Sequence, residues 1–542
     1  MTSAAKPPGW ALWLLKRICP KDLYEMIEGD LLEEFQDDIE AFGLSRARRR
    51  FAGSVLKFIH PEIIRRRSPH RPNYNNMLPH YLLSAVRQLS RKKVISFVNI
   101  IGLAVGLCTY FLISQYVSFE LSFDSFHKNK DQIFRVVHRL EEPGKATVAS
   151  ARNFFGVAML AQQNPGEVST ATAFDRSSPS ACFQFVYQGK NHYEPGSFYQ
   201  TDENFFKVFP SLLLKGDPSS VLSDPHNLVL SQKMAALIFG DEDPIGKKLE
   251  NRSYSFADIG SFVVTGVMID APENSHFHLN FIVKNSNDED VLSGDLWSNP
   301  RFYTYITLVP GTDPAVVEEK LNLLLKDLNK EQPNTAHVTV SLQPITDIHN
   351  SSDLIEELEP NGNKLLLYLL AGIGIAVLAC AWINYVNIET GRFAERAKEV
   401  GVRRILGSGD LGLAAQFFTE YLVNTILAVA IAGITLFLWA PSFRELLSLP
   451  SFNFWNSPVW IGSCITFVSG VLVTGLSLAT LFIKKRSPNI ISSRATRPHH
   501  GTSFRKALIT FQFVCSISLI AILMVVHDQT EFMMSTNKKI DV

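Results

Sequence analysis

The sequence predicts an α-helical polytopic membrane protein. It carries a large α+β domain between its first two spans and a small helical domain ahead of the first. Three observations predict this. Five long apolar runs punctuate the chain, at Val94–Phe119, Leu365–Ile388, Phe417–Ala440, Val459–Ile483 and Ala507–Val526; only the third contains a charged residue, Glu420. Runs of about 20 apolar residues match the thickness of a bilayer core, whereas the alternative, buried helices of a large soluble protein, would carry charge on at least one face. Basic residues alternate between the segments joining these runs. The stretch 120–363 mixes strand and helix periodicities, as a folded domain does.

Composition excludes little else. The chain has 542 residues, a formal net charge of zero and 46% hydrophobic residues, so no global positive charge points to nucleic acid. Trp10–Leu15 is cut short by Lys16 and Arg17, too early for a secretory signal core, and insertion is expected to rely on the first span. Of the six cysteines, Cys108, Cys380, Cys464 and Cys515 fall in spans, Cys19 in the N-terminal segment and Cys182 alone in the large loop, so no disulfide framework is expected within that loop.

Residues 1–75 read as a helical domain. Leu23, Ile27, Leu31, Phe35 and Ile39 recur every fourth residue on a strongly acidic helix, followed by Arg46, Arg48, Arg49, Arg50 and Arg65–Arg67. Complementary faces of a compact bundle explain this pattern; a docking module or a basic face on anionic lipid are the sharper readings. Pro69, Pro72 and Pro79 mark a linker. Arg87, Arg91, Lys92 and Lys93 precede the first span (94–119), which places the N-terminus in the cytoplasm.

Residues 120–363 then form an extracytoplasmic α+β domain. Strands are expected at Phe302–Leu308 and around Val338, Val340 and Leu342, and Val317, Leu321, Leu324, Leu325 and Leu328 make a helical stripe. The second span (365–388) returns to a cytoplasmic segment, 389–416, carrying Arg392, Arg396, Lys398, Arg403 and Arg404. After the third span (417–440), residues 441–458 hold only Arg444. The fourth span (459–483) leads to the linker 484–506, with Lys484, Lys485, Arg486, Arg494, Arg497, Arg505 and Lys506. Five basic residues inside, one outside and seven inside fix the orientation by the positive-inside rule. The last span (507–526) repeats the layout at 87–119, a basic flank, a span and then an acidic-aromatic exit, as though a second copy of the unit begins there.

Two chemical motifs are weighed and set aside. Gly240–Lys248 (GDEDPIGKK) spaces its glycines one residue too far for a phosphate loop and has lysine where a magnesium-binding hydroxyl belongs. His276 and His278 share a strand face but have no third metal ligand at useful spacing. No GxSxG or HExxH occurs, and the spans lack the embedded charges of an ion pathway. An enzyme is not expected, nor a resident cofactor or metal.

The stretch 395–408, ERAKEVGVRRILGS, with Gln416–Glu420 (QFFTE), resembles the FtsX-like permease domain of MacB-type ABC transporters. Asp202–Phe209, Leu214–Pro218, Val229–Lys233, Phe239–Gly246 and Asp270–His278 resemble the MacB-like periplasmic core domain, and residues 10–65 are similar to a prefix domain found ahead of some such permeases. The resemblance implies a bacterial inner-membrane permease subunit with residues 120–363 in the periplasm. ATP would be bound by a separate cytosolic ABC ATPase docking on the loop after the second span. The residues expected to receive it are Glu395, Arg396, Lys398, Glu399, Val400, Gly401, Arg403, Arg404, Leu406 and Gly407, the charges offering ion pairs and Val400, Val402, Ile405 and Leu406 an apolar face. An amphipathic helix held only by headgroups is the rival reading of this loop. Further expected partners are the lipid bilayer, a second permease half (a homodimer or an internal repeat) and a periplasmic adaptor, with no nucleic acid. Such family members carry two copies of the span-plus-loop unit, so the sequence reads as a fragment or a degenerate member. The expected function is export of a peptide, drug or lipid-like substrate by transmitting ATPase motion. The alternative is a regulatory or signalling membrane protein that senses a periplasmic ligand or controls a cell-wall enzyme.

Overall fold

The computed structural model of the chain describes residues 7–18, 21–57, 78–140, 148–163, 166–176, 182–195, 198–252, 260–284, 296–297, 300–331, 338–392, 399–403, 409–447, 458–484 and 499–537. It divides into two compact units, residues 1–83 and 84–542.

The first unit is built on three helices, α1 (Gly9–Ile18), α2 (Lys21–Phe42) and α3 (Leu44–Lys57). Gly43, at φ +79°, makes the left-handed turn that ends α2 and starts α3. Leu31 and Phe35, from the expected stripe, pack with Ala11, Leu15, Phe51 and Val55 into a small core. Phe35 meets Phe51 edge-on at 5.5 Å. The side chains of Leu23 and Ile27 lie outside the description.

Between the expected linker and the first span stands a helix that the sequence reading lacks, α4 (Leu78–Arg91). Pro79 is not linker but first-turn helix, where its missing N–H costs nothing. α5 (Lys93–Glu120), α9 (Lys364–Gly391), α10 (Asp410–Leu447), α11 (Pro458–Lys484) and α12 (His499–Asn537) contain the five apolar runs. Segments 93–120, 364–391, 410–439 and 506–533 are each long and apolar enough to cross a bilayer, and α11 is apolar over Pro458–Val473. α10 runs on through Pro441, so part of the expected 441–458 loop is helix.

The helices approach through small residues, as membrane helices do. A Cβ on Gly106 of α5 would lie 2.5 Å from the Ala381 Cβ of α9. One on Gly470 of α11 would lie 2.1 Å from the Trp382 indole, and one on Gly475 would lie 2.6 Å from the Tyr421 ring. Leu103, Leu107, Leu378, Phe417, Tyr421, Phe467 and Val471 form the shared core.

The domain between α5 and α9 holds β1 (Ile133–Leu140), β2 (Val148–Ser150), β3 (Val168–Arg176), β4 (Cys182–Tyr187), β5 (Lys190–Pro195), β6 (Phe198–Thr201), β7 (Leu213–Lys215), β8 (Asn227–Ser231), β9 (Lys248–Asn251), β10 (Ser261–Met268), β11 (Phe281–Lys284), β12 (Tyr303–Leu308) and β13 (Val338–Pro344). They form one sheet in the order β13-β1-β12-β3-β6-β11-β8-β10-β9-β4-β5, with β2 on β1 and β7 on β10. Helices α6 (Phe155–Gln162), α7 (Gln232–Phe239) and α8 (Pro314–Glu331) pack on it.

β12 shows what the sequence pattern missed. Its alternation of Tyr and Ile with Thr suggests one wet face, yet all six residues are buried, Thr304 at 0% and Thr307 at 8% exposure. Tyr303 and Tyr305 enter an aromatic core with Phe174, Phe205, Phe209 and Phe277. Ile306 and Leu308 enter a second core with Val317, Leu321 and Leu325 of α8. The strand is central and covered on both sides.

At the sheet's end, β13 is protected by α8. Asn322 donates to the Val340 carbonyl and accepts from the Val340 N–H, both at 2.8 Å, while Glu318 accepts from the Leu342 N–H at 2.9 Å. These side chains satisfy the groups that an added strand would seek.

Candidate functional site

The membrane helices α5 and α9 are tied to their surroundings at both ends by buried polar groups, which hydrocarbon surroundings would otherwise penalise.

At the end remote from the sheet, four segments converge. Glu389 and Arg392 at the close of α9 form an ion pair at 3.1 Å, with the Glu389 side chain only 2% exposed. Gln416 and Glu420 lie one turn apart on α10 and are buried; the Gln416 amide donates to Glu420 Oε1 at 3.1 Å and to Ser84 Oγ of α4 at 3.4 Å. With its amide nitrogen turned to the carboxylate, Gln88 of α4 donates to both Glu420 oxygens at 2.8 and 2.6 Å and accepts from Arg392 Nη2 at 3.2 Å. Arg403 donates to Gln416 Oε1 and pairs with Glu399 at 2.9 Å. The stretch QFFTE therefore has a structural meaning: Gln416 and Glu420 join α4 to the segment before α10, and Gln88 of α4 in turn accepts from Arg392 at the close of α9.

The ten residues expected to receive an ATPase separate accordingly. Glu399, Val400, Gly401 and Arg403 lie on a helical segment at 399–403. Val400 turns inward against the core that holds Leu413 and Phe417, and Arg403 is engaged with Gln416. Val402, 58% exposed, faces outward. Glu395, Arg396, Lys398, Arg404, Leu406 and Gly407 lie outside the described residues, as does Ile405.

The opposite end is clasped too. Glu120, the last residue of α5, accepts from His349 Nε2 at 2.8 Å, and its carbonyl accepts from the Asn350 amide. His349 stacks face to face on Phe123 at 3.4 Å. The Gly362 N–H donates to the His349 carbonyl at 2.8 Å, and a side chain at Gly362 would strike Asn350 at 2.6 Å and crowd Glu120 and His349. Asn363 then caps α9 by accepting from the Leu366 N–H at 3.2 Å. Thus α5 leaves and α9 enters the membrane through one joint.

That joint continues into the sheet. Asp124 takes the left-handed conformation, φ +57°, and its N–H donates to the Asn274 carbonyl at 2.8 Å, while the Asn274 amide donates to Ser122 Oγ at 2.9 Å. Asp124 pairs with His276 at 2.8 Å, and His276 Nε2 meets the Tyr305 hydroxyl at 2.7 Å. Fully buried Arg135 forks onto Glu357 at 2.5 and 2.8 Å. Burial works to raise the Glu357 carboxyl, but its bonds and charge attraction to Arg135 outweigh it and hold the group below its usual value. His276 and His278 part company here: the first is buried between Asp124 and Tyr305, the second lies at the surface 3.7 Å from Glu359. The closeness of His278 and Glu359 raises the His278 value and lowers that of Glu359.

Sequence reasoning missed Gln88, although Tyr81, Ala85 and Leu89 repeat every fourth residue and signal α4. It also missed Glu120 with His349, for which residues so far apart in the chain give no local sign.

Comparison with known proteins bears on this arrangement. Residues 96–324 match the MacB-like periplasmic core domain, and residues 370–490 match the FtsX-like permease C-terminal domain. The macrolide export ATP-binding/permease protein MacB of Vibrio parahaemolyticus is 25% identical over 322 residues, 56% of this chain and 46% of that protein. Its namesake in Neisseria meningitidis serogroup A is 24% identical over 252 residues, 44% of this chain and 34% of that protein. The ABC transporter permease YvrN of Bacillus subtilis is 22% identical over 296 residues, 51% of this chain and 65% of that protein. The chain thus spans from a third to two thirds of the length of these relatives. Among solved structures, the periplasmic region of MacB from Actinobacillus actinomycetemcomitans is similar at 18% identity and a TM-score of 0.28, covering 42% of this chain and 96% of that one. A domain of a permease protein from Porphyromonas gingivalis is similar at 20% identity and a TM-score of 0.35, covering 45% and 98%. With the two domains in this order and the transmembrane helices around them, the chain belongs to the MacB/FtsX type of ABC transporter permeases.

Proposed function

We propose that this permease converts ATP hydrolysis by a separate cytosolic ABC ATPase into movement of its periplasmic domain, in the service of exporting an amphiphilic peptide, drug or lipid-like molecule. One observation supports this above the others: α9 directly, and α5 through the α4 helix that runs into it, are held at one end by the polar cluster of Gln88, Glu389, Arg392, Gln416 and Glu420 and at the other by the Glu120–His349 joint. A push on residues 399–403 passes through Arg403 to Gln416, then through Glu420 and Gln88 to α4 and α5. The outer joint hands that motion to the sheet through Asn274, Asp124 and His276. On this reading Val402 contacts the ATPase, while Val400 and Arg403 couple the docking segment to α10.

The test separates docking from coupling. The chain is purified from native membranes with the ATPase that accompanies it. Val402→Asp is expected to lose the ATPase. Gln88→Leu is expected to keep it but to lose any ATP-dependent change in distance between spin labels at Leu237 and Ile434, placed in a background without the native cysteines. Full ATPase retention by Val402→Asp, or an unaltered ATP response in Gln88→Leu, refutes the corresponding step.

A further inference from the structure

The three-helix unit has a face that its own packing leaves uncovered. On α1, Ala11 and Leu15 are buried at 0% and 2% exposure against the core of Phe35, Phe51 and Val55. Trp10 and Trp13 point the other way, 55% and 60% exposed. Positions 10, 13 and 17 fall within one narrow sector of a helix, and the Arg17 guanidinium lies over the Trp13 ring, 5.2 Å from its centroid. Lys16, also exposed, flanks them. Among the described residues neither cation pairs with a carboxylate.

Charge is segregated within the unit. α1 carries Lys16 and Arg17 and no acid, whereas the exposed surface of α2 carries Asp30, Glu33, Glu34 and Asp37. The basic α3 is partly engaged internally, Arg50 binding Asp38 at 2.8 Å and lying over Phe42 at 4.7 Å. Two adjacent exposed tryptophans are costly in water, and two occupants would relieve them. A protein partner would offer pockets, since Trp and Arg are common binding anchors. A membrane surface offers the headgroup layer in which indole rings settle, with anionic phosphates for the cations.

The lipid surface is favoured by charge. A face of two indoles and two cations free of acids complements anionic headgroups, and the acidic surface lies on a different helix. Proximity favours it too, because the same chain enters the bilayer at α5. We propose that α1 lies on the membrane surface, its Trp10–Trp13–Arg17 face seated among anionic lipid headgroups with Lys16 at the rim. Its occupant is lipid, and the contact stands apart from the coupling reading above.

The test uses the full chain with 5-fluorotryptophan, in nanodiscs of phosphatidylcholine alone or mixed with phosphatidylglycerol, each containing a nitroxide-headgroup lipid. Fluorine resonances are assigned with single Trp→Phe variants, and Trp297, 8% exposed in the sheet domain, serves as the internal reference. The Trp10 and Trp13 resonances are expected to broaden well beyond that of Trp297 in the anionic discs and weakly in the neutral ones. Lys16→Gln with Arg17→Gln is expected to lower the docked fraction about 25-fold relative to undocked, from the usual attraction of a cation to an anionic surface. Equal broadening in both lipids and in the double variant overturns the proposal. So does broadening no greater than that of Trp297; protection of the same fluorines from an aqueous quencher would then assign the face to a protein surface instead. Unchanged chemical shifts of the remaining tryptophans verify that the variant is folded.

Discussion

Acidification should act on the sheet domain through two buried groups with opposite signs. His127 is 1% exposed, wedged among Phe126, Phe209 and Phe277. Burial lowers its value from 6.5 to about 4; Asp124 pulls the other way and His276 adds to the fall. Between those values the unfolded chain takes up a proton that the folded one refuses, so stability falls as pH drops from about 6.5 towards 4. Asp175 behaves inversely. Burial raises it from 3.8 to about 6, against the attraction of Arg301 and Arg152. The folded form therefore takes its proton first, and stability grows as pH falls from about 6 to 4. At 1.36 kcal/mol for each tenfold change, going from pH 7 to pH 5 costs about 2 kcal/mol through His127 and returns about 1 kcal/mol through Asp175. Through these two groups together the wild type should thus lose only about 1 kcal/mol. His127→Phe should gain about 1 kcal/mol of stability over that interval and Asp175→Asn should lose about 2 kcal/mol. Urea unfolding of the reconstituted chain at the two pH values, followed by the fluorine resonance of 5-fluorotryptophan at Trp297, measures this. Only the change between pH values counts, since either substitution shifts the baseline. If His127→Phe keeps the wild-type pH response, the argument from its burial is wrong.

Three other outcomes follow from packing. Gly470→Val drives a branched side chain into the Trp382 indole and should lower the melting temperature of the bundle by the equivalent of 1–3 kcal/mol or more, roughly the range for overpacked cores; Gly462→Ala, which meets open space, should be near neutral, and thermal unfolding in detergent compares them. Asn322→Leu leaves both Val340 backbone groups without partners, costing about 1–3 kcal/mol for each buried group, and should increase aggregation seen by light scattering because the β13 edge is opened. Cys380 of α9 lies within hydrogen-bonding reach of Cys515 of α12, so a membrane-permeant oxidant should join these two in the intact chain. Peptide mapping that finds either one joined elsewhere would contradict the packing of α12 on α9.

The long apolar helices were legible because hydrophobic length is a property of consecutive residues. The apolar runs and the stripe Val317, Leu321 and Leu325 needed no partner to be recognised. β12 was legible as a strand but not as a central one, since whether Thr304 meets water depends on helices and strands far along the chain. α4 was readable in principle from Tyr81, Ala85 and Leu89, but Arg87 and Arg91 fit the basic flank of a span equally well. The Arg135–Glu357 fork and the Glu120–His349 joint were not readable at all. A carboxylate and its partner separated by a whole domain leave no periodic trace, and their pairing is decided by how the sheet closes. Residues 399–403 show the same limit at short range: Arg403 and Val402 are neighbours in sequence, yet one is bonded to Gln416 and the other is exposed.

On the coupling proposed above, placement of the two polar clusters follows from what a helix can and cannot transmit. α5 runs for 28 residues, about 42 Å at 1.5 Å per residue, and within the bilayer its backbone bonds have no competitor from water, so it behaves as a stiff rod. A rod passes on tilt, rotation or translation only if both ends are held, and apolar contacts alone let helices slide, since lipid tails replace them at little cost. Directional bonds at the ends resist such sliding. The Gln88–Glu420 pair holds α4 and hence the start of α5 to α10, and the Glu120–His349 pair holds the end of α5 to the sheet. The two sites should therefore be non-additive: once Gln88→Leu has freed the lower end, adding Glu120→Gln should change the spin-label response between Leu237 and Ile434 little further. Independent, additive losses in the double variant would mean that the motion reaches the sheet by another helix, α9 being the remaining direct connection.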